Sequence, residues 1–227
     1  MTNLATSNGA WFLAVCPLMI ALTLGCGGSG GEKPGEGGKA TESSGLKKVS
    51  AAKLPALGDY LPALDGGKVE IAPPKGWKIL SRDNKYLTRM VLGSEIGLPR
   101  ILVTVEESNW EGAGSTTGAN VVEHAGLVAA DLKERKIEPV EPPKPMQIGE
   151  NAFVRYVLKS KMGPKIIERQ MLQTVSGVRL YTIDLQVPKD EIVKHRDEAY
   201  AVAAGMKFTP SAPAGEAPPS DAAPATP

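Results

Sequence analysis

Alternating apolar and polar positions run through the middle of this chain. Val69 and Ile71 alternate with polar neighbours, and the pattern resumes at Trp77 and Ile79 after Pro73-Pro74-Lys75-Gly76. Successive side chains of a strand point to opposite faces, so a period of two predicts two short strands about a turn. "TRMVLGS" (88–94) and "RILVTVEES" (100–108) predict further strands; in the second, Ile101, Val103 and Val105 share one face and Leu102, Thr104 and Glu106 the other. The period then changes. Val121, Ala125, Val128 and Leu132 recur at helical spacing and predict an amphipathic helix over 120–136. Asn120, with Glu123 three residues on, reads as its cap with a reciprocal acid, and the proline-rich "EPVEPPKPM" (138–146) ends it.

"AFVRYVLKSK" (152–161) returns to strand, and "KIIERQMLQTVSGVRLYTIDLQVP" (165–188) reads as two strands about a two-residue loop, Ser176-Gly177. With that loop Arg169 lies opposite Asp184 and Leu172 opposite Tyr181. Tyr181, Ile183, Leu185 and Val187 form the core face, and the Arg169–Asp184 pair is expected to be exposed and to contribute little. The closing segment 189–208 carries Ile192, Ala199, Val202 or Ala203, and Met206 on one side of a helix, with Gly205 as its expected cap. The predicted fold class is α+β, an antiparallel β-sheet covered by helices.

The order of these elements, "PPKGW" (73–77) before the second strand, and a closing helix ending in "GMKF" (205–208) resemble the PsbP-like α/β sandwich. That group includes extrinsic photosystem proteins, a Ran-binding nuclear import factor and DcrB-type bacterial lipoproteins. The resemblance covers residues 66–208 and carries over no catalytic residue. It implies a binding or assembly-support module rather than an enzyme.

The apolar run "WFLAVCPLMIALTL" (11–24) is shorter than the roughly 20 residues of a spanning helix and contains Pro17, so it fits a signal-peptide core. It ends in "LTLGC" (22–26), which resembles the lipobox of bacterial lipoproteins, although residues 1–10 hold no Lys or Arg. The resemblance implies removal of residues 1–25 and acylation of Cys26, with palmitate or a similar chain; an ordinary secretory signal is the plainer alternative. Gly27, rather than Asp, after the cysteine implies the periplasmic face of the outer membrane in a diderm host. Cys16 is then lost and Cys26 carries lipid. No thiol remains for a disulfide, a zinc site or a nucleophile.

Residues 26–65, rich in Gly, Ser, Lys and Glu, read as the lipidated cysteine and a flexible tether, and 209–227 as a disordered Ala/Pro-rich tail. That leaves 66–208 as the domain. The charge is balanced, 26 Lys and Arg against 25 Asp and Glu, so nucleic acid is not an expected partner.

Candidate chemistry is sparse. The loop "EGAGSTTGAN" (111–120) lacks the Gly-Lys-Ser/Thr of a P-loop, so it reads as a surface loop, with Ser115 and Thr116 as candidate anion contacts. Trp110 beside it is either a lid over the core, the favoured reading, or an exposed partner contact. Arg155, Lys159, Lys161 and Lys165 gather about a turn; they either protect a sheet edge or form a basic patch meeting anionic lipid or cell-wall polymer. "PVEPPKP" (139–145) has Pro-x-x-Pro spacing but reads as a connector. His124 and His195 are the only histidines, read as solvated helix positions, and no metal or cofactor is expected. Glu106 and Glu107 read as surface charge, since adjacent strand residues point apart. The functional expectation is a non-enzymatic lipoprotein that binds an envelope protein or polymer. The alternative is an exported hydrolase using carboxylates such as Glu106 or Asp131.

Overall fold

In the computed structural model the described residues are 46–80, 85–108, 110 and 114–209. The signal-like run, Cys26, most of the expected tether and the tail from residue 210 lie outside them. The chain divides into units 1–41 and 42–227, and every described residue belongs to the second.

The strands are β1 (Lys47–Val49), β2 (Val69–Glu70), β3 (Lys78–Leu80), β4 (Thr88–Val91), β5 (Arg100–Glu107), β6 (Glu141–Ile148), β7 (Asn151–Met162), β8 (Lys165–Ser176), β9 (Arg179–Pro188) and β10 (Lys207–Phe208), of which β1, β6 and β10 lie in segments where no strand is expected from the sequence. The α-helices among the described residues are α1 (Val121–Glu134) and α2 (Ile192–Gly205), and a short 3-10 turn spans Ala51–Lys53. One eight-stranded sheet runs β1-β6-β7-β8-β9-β5-β4-β3, and β10 pairs with β2 as a separate ribbon. Within the sheet every pairing is antiparallel except β1 on β6, which is parallel.

Both sheet faces carry a helix. Ile101, Val103, Phe153, Leu172, Ile183 and Leu185 share the face that packs with Ala199, Val202 and Ala203 of α2. On the opposite face Val121, Ala125, Val128 and Leu132 of α1 meet Ala152, Val154, Tyr156 and Met171. The strand contacts of α1 are with β6 and β7, so it sits toward one side of its face.

Four expectations are corrected. First, the folded region starts well before residue 66. Lys47–Val49 joins the sheet edge, Leu57 bridges Pro74, and Leu64 is buried beside Val69. Leu54 and Leu61 also pack on the core. Such a segment needs no core of its own, because widely spaced leucines suffice to dock on one built elsewhere.

Second, "PVEPPKP" is largely strand, not connector. The register of β6 on β7 shifts between Glu141 and Lys144, where Pro142 and Pro143 sit. A bulge tolerates residues that cannot donate to the ladder. Pro145 pairs with Val154, and β1 covers only Met146–Ile148, so this part of β6 remains an edge.

Third, the β8–β9 loop is Gly177-Val178, because Ser176 pairs with Arg179. Gly177 has φ +60° and Val178 is not left-handed. A type II′ turn needs glycine at its first central position, so the turn slides one residue along the chain. Leu172 therefore faces Ile183, Arg169 faces Gln186 and Met171 faces Asp184. The partner shift is two residues, so no side chain changes face.

Fourth, Gly205 is not a left-handed cap. A Cβ there would come within 2.3 Å of Leu57 Cδ1, and Tyr60 Oη donates to the Gly205 carbonyl at 2.9 Å. The glycine admits the N-terminal segment against the end of α2.

Candidate functional site: a polar cavity beside α1

Between α1 and the neighbouring strands lies a cavity of about 270 Å³, lined among others by Glu106, Trp110, Asp131, Arg135, Tyr156 and Gln173. Helical spacing directs Val128, Asp131 and Arg135 to one side of α1, while strand alternation directs Tyr156 and Gln173 to the same sheet face. Arg135 pairs with Asp131 at 3.2 Å across one helical turn, and both side chains are about half exposed. Burial pushes the Tyr156 phenol up to about 12, so it is a neutral group at physiological pH.

Trp110 is half-buried and packs on the cluster beneath α1. Its ring lies 4.7 Å from the His124 ring at 57°. His124 is fully buried, not solvated as expected, and its Nδ1 shares a 2.7 Å hydrogen bond with Thr116 Oγ1. His195 is also largely covered, edge-on to Trp77 and 3.6 Å from Glu198. The helical wheel places both histidines beside polar neighbours. Only the packing shows which side of each helix is covered.

Ser115 and Thr116 both take part in the fold. Thr116 Oγ1 accepts from Val175 N–H at 2.8 Å, and Ser115 Oγ accepts from Gly177 N–H at 2.9 Å. They fasten the loop before α1 to the β8–β9 hairpin. Asn120 makes no side-chain cap bond to α1; its Oδ1 accepts from Thr117 N–H at 2.7 Å.

The expected basic patch separates. Arg155 is buried, donating from Nη2 to Glu141 Oε1 at 3.0 Å and from Nε to Gln170 Oε1 at 3.0 Å. The Arg155 hydrogen bonds hold the Glu141 carboxyl below the usual carboxylate range. Lys159 and Lys161 are exposed on the α2 face, whereas Lys165 pairs with Met162 and belongs to the opposite face. Each lies where its strand runs past a neighbour, since β6 pairs with β7 only as far as Val157 and β9 with β8 only from Ile167, so all three sit on locally open edges.

Two polar clusters carry no motif in the sequence. Arg179 donates to both Asp65 oxygens, at 2.8 and 3.1 Å, and Tyr181 Oη donates to the same carboxylate at 2.8 Å. Burial opposes the Asp65 charge, but these bonds outweigh it and lower the pKa. On the α1 side of the sheet, Arg169 Nη2 donates to Asp184 Oδ2 at 2.6 Å, and Arg169 Nε bonds the same carboxylate. Asp184 is 4% exposed, so the expected surface pair is in fact a largely buried one. Among the described residues no group of three or more His, Cys, Asp or Glu could hold a metal ion.

No family model matches the chain. No curated protein matches it either. Solved structures with similar backbones include a Bacteroides thetaiotaomicron protein, 13% identical over 67% of this chain, with a TM-score of 0.47. The chain spans about half of that protein, 48% of its length. LpqN of Mycobacterium tuberculosis, described as involved in cell envelope biogenesis, is 11% identical over 63% of this chain and 83% of its own, at 0.43. The cyanobacterial PsbP of Synechocystis is 14% identical over 69% of this chain and 99% of its own, at 0.40.

Proposed function

We propose that this chain is a lipid-anchored extracytoplasmic protein, acylated at Cys26, whose PsbP-like folded unit is a non-enzymatic binding or assembly-support module for an envelope protein or polymer. The observation that carries the module reading is the solvent-facing state of the cavity's charged groups. A general-acid carboxyl is ordinarily kept protonated by desolvation. Here Glu106 is exposed, and Asp131 is half exposed and already paired with Arg135. An indole beside charged and amide side chains suits recognition of a polar surface. The anchor reading rests on the apolar run and "LTLGC"; no described helix is long and apolar enough to cross a membrane.

The hydrolase reading keeps one support, since Glu106 and Asp131 do line the same cavity. The two are separated by site-specific photocrosslinking from Gln173 in cells, repeated with Glu106→Gln/Asp131→Asn. The module reading expects a discrete crosslinked envelope partner that survives loss of both carboxylates. Absence of any crosslinked species would overturn it. In parallel, Cys26→Ser should move the protein to the soluble fraction and abolish fatty-acid labelling; an unchanged membrane fraction would sink the anchor.

A further inference from the structure

On the α1 side of the sheet, away from the cavity, antiparallel register brings three arginines together. Arg100 faces Gln186, which faces Arg169, so these three form one row across β5, β9 and β8. Arg89 faces Leu102 and Val91 faces Arg100, which makes Arg89 and Arg100 diagonal neighbours on the same face. Diagonal neighbours of this kind have Cα atoms about 7–8 Å apart, within reach of long side chains.

The counter-charge does not match the cations. Asp184 is committed to Arg169 through both its oxygens, and Gln186 Nε2 also donates to it. Arg100 reaches only neutral acceptors, Gln186 Oε1 at 2.7 Å and the Met162 sulfur at 3.6 Å. Arg89 donates from Nη2 to the Glu95 carbonyl at 2.8 Å, and its Nε is buried without a partner. Among the described residues neither Arg89 nor Arg100 forms an ion pair. Burial, and then the neighbouring charge of Arg89, lower the Arg100 pKa. The charge of Asp184 acts the other way on Arg100, but that single carboxylate is already bonded to Arg169, so a further anion would offset the repulsion between Arg89 and Arg100.

We propose that Arg89 and Arg100 form a binding site for a phosphate-class oxyanion. The guanidinium fork matches phosphate oxygens two at a time, and a tetrahedral anion can accept from two forks at once. A phosphate's charge also suits two cations better than a single carboxylate does. Gln186 and the Arg169–Asp184 pair act as positioning groups, holding Arg100 in its row. The proposal does not rest on the lipid anchor, and neither Arg89 nor Arg100 lines the cavity beside α1.

The test is isothermal titration calorimetry and thermal unfolding of the full chain in detergent, with chloride as the ionic-strength control. Two probes distinguish the source of the anion. Inorganic phosphate represents the free ion, and glycerophosphoglycerol represents a phosphodiester headgroup or polymer. Either probe is expected to give saturable heat and a midpoint rise of several degrees, as ligand binding to the native state requires. Binding of the diester assigns the source to a lipid or polymer, and binding of orthophosphate alone assigns it to the free ion. Arg89→Met and Arg100→Met are each expected to weaken binding by roughly tenfold or more, the loss of a charge-assisted hydrogen bond. Because phosphate also stabilises proteins by exclusion from their surface, an equal midpoint rise in wild type and variants overturns the proposal. So does absence of saturable heat with both probes. If Arg100→Met does not fold, Arg89→Met decides the matter, since Arg89 makes only the one bond to Glu95.

Discussion

Ile183 and Asp184 are adjacent in sequence and buried on opposite faces of the same strand, one among apolar side chains and the other against a guanidinium. Removing Ile183 to Ala leaves a void under α2 and is expected to cost about 2–5 kcal/mol. Removing Asp184 to Ala strands Arg169, whose side chain is 32% exposed and can partly rehydrate, and also frees the Gln186 amide. The expected cost is about 1–3 kcal/mol, more than the roughly 0–1 kcal/mol of an exposed pair. Denaturant unfolding of the two variants checks both values. An Asp184→Ala loss within the surface-pair range would show that Arg169 swings freely to water. Strand alternation separates these two residues onto opposite faces, but it does not show that both faces are covered.

Among the elements, two glycines behave in opposite ways. Gly126 is an exposed residue within α1, and a Cβ added there meets nothing within 4 Å. Gly126→Ala is therefore expected to stabilise by about 1 kcal/mol through backbone entropy and helix propensity. Gly177 opens the β8–β9 turn at φ +60°, where an L side chain is strained. Gly177→Ala should destabilise by about 1–2 kcal/mol. Thermal unfolding of the two single variants should move the midpoint in opposite directions. A Gly177→Ala midpoint that does not fall would mean that position 177 leaves the left-handed region without cost. The helices and the long strands were legible because their periods persist over many residues. The turn was not, since "SGV" accommodates two loop positions and only the φ sign separates them. The strand over 141–148 was hidden for a different reason: three prolines mask it, and a bulge at an open edge accommodates them.

At the scale of the molecule, the N-terminal boundary decides what folds. Residues 46–65 contribute a parallel edge strand, the buried Leu64 and the carboxylate that joins Arg179 and Tyr181. A fragment 46–209 is expected to unfold cooperatively at nearly the midpoint of the full chain. A fragment 66–209 would expose Val69 and Trp77 and leave Arg179 without its partner, so it should be much less stable or aggregate. Circular dichroism melts of the two fragments make the comparison, and matched midpoints would place the boundary at residue 66 after all.

The one-dimensional pattern was sufficient for the alternation of the strands, the two amphipathic helices and the core face of β9, since each follows from the local period of side-chain direction. The signal-like run and "LTLGC" are likewise contiguous and need no fold to be read. Tertiary structure alone decided which polar residues meet. Arg155 left the expected basic patch for Glu141, and Asp65 joined Arg179 across 114 positions. Arg89, Arg100, Arg169 and Asp184 converged from four strands. Charge acts through space at separations of a few ångströms, and sheet register, rather than sequence spacing, sets those separations.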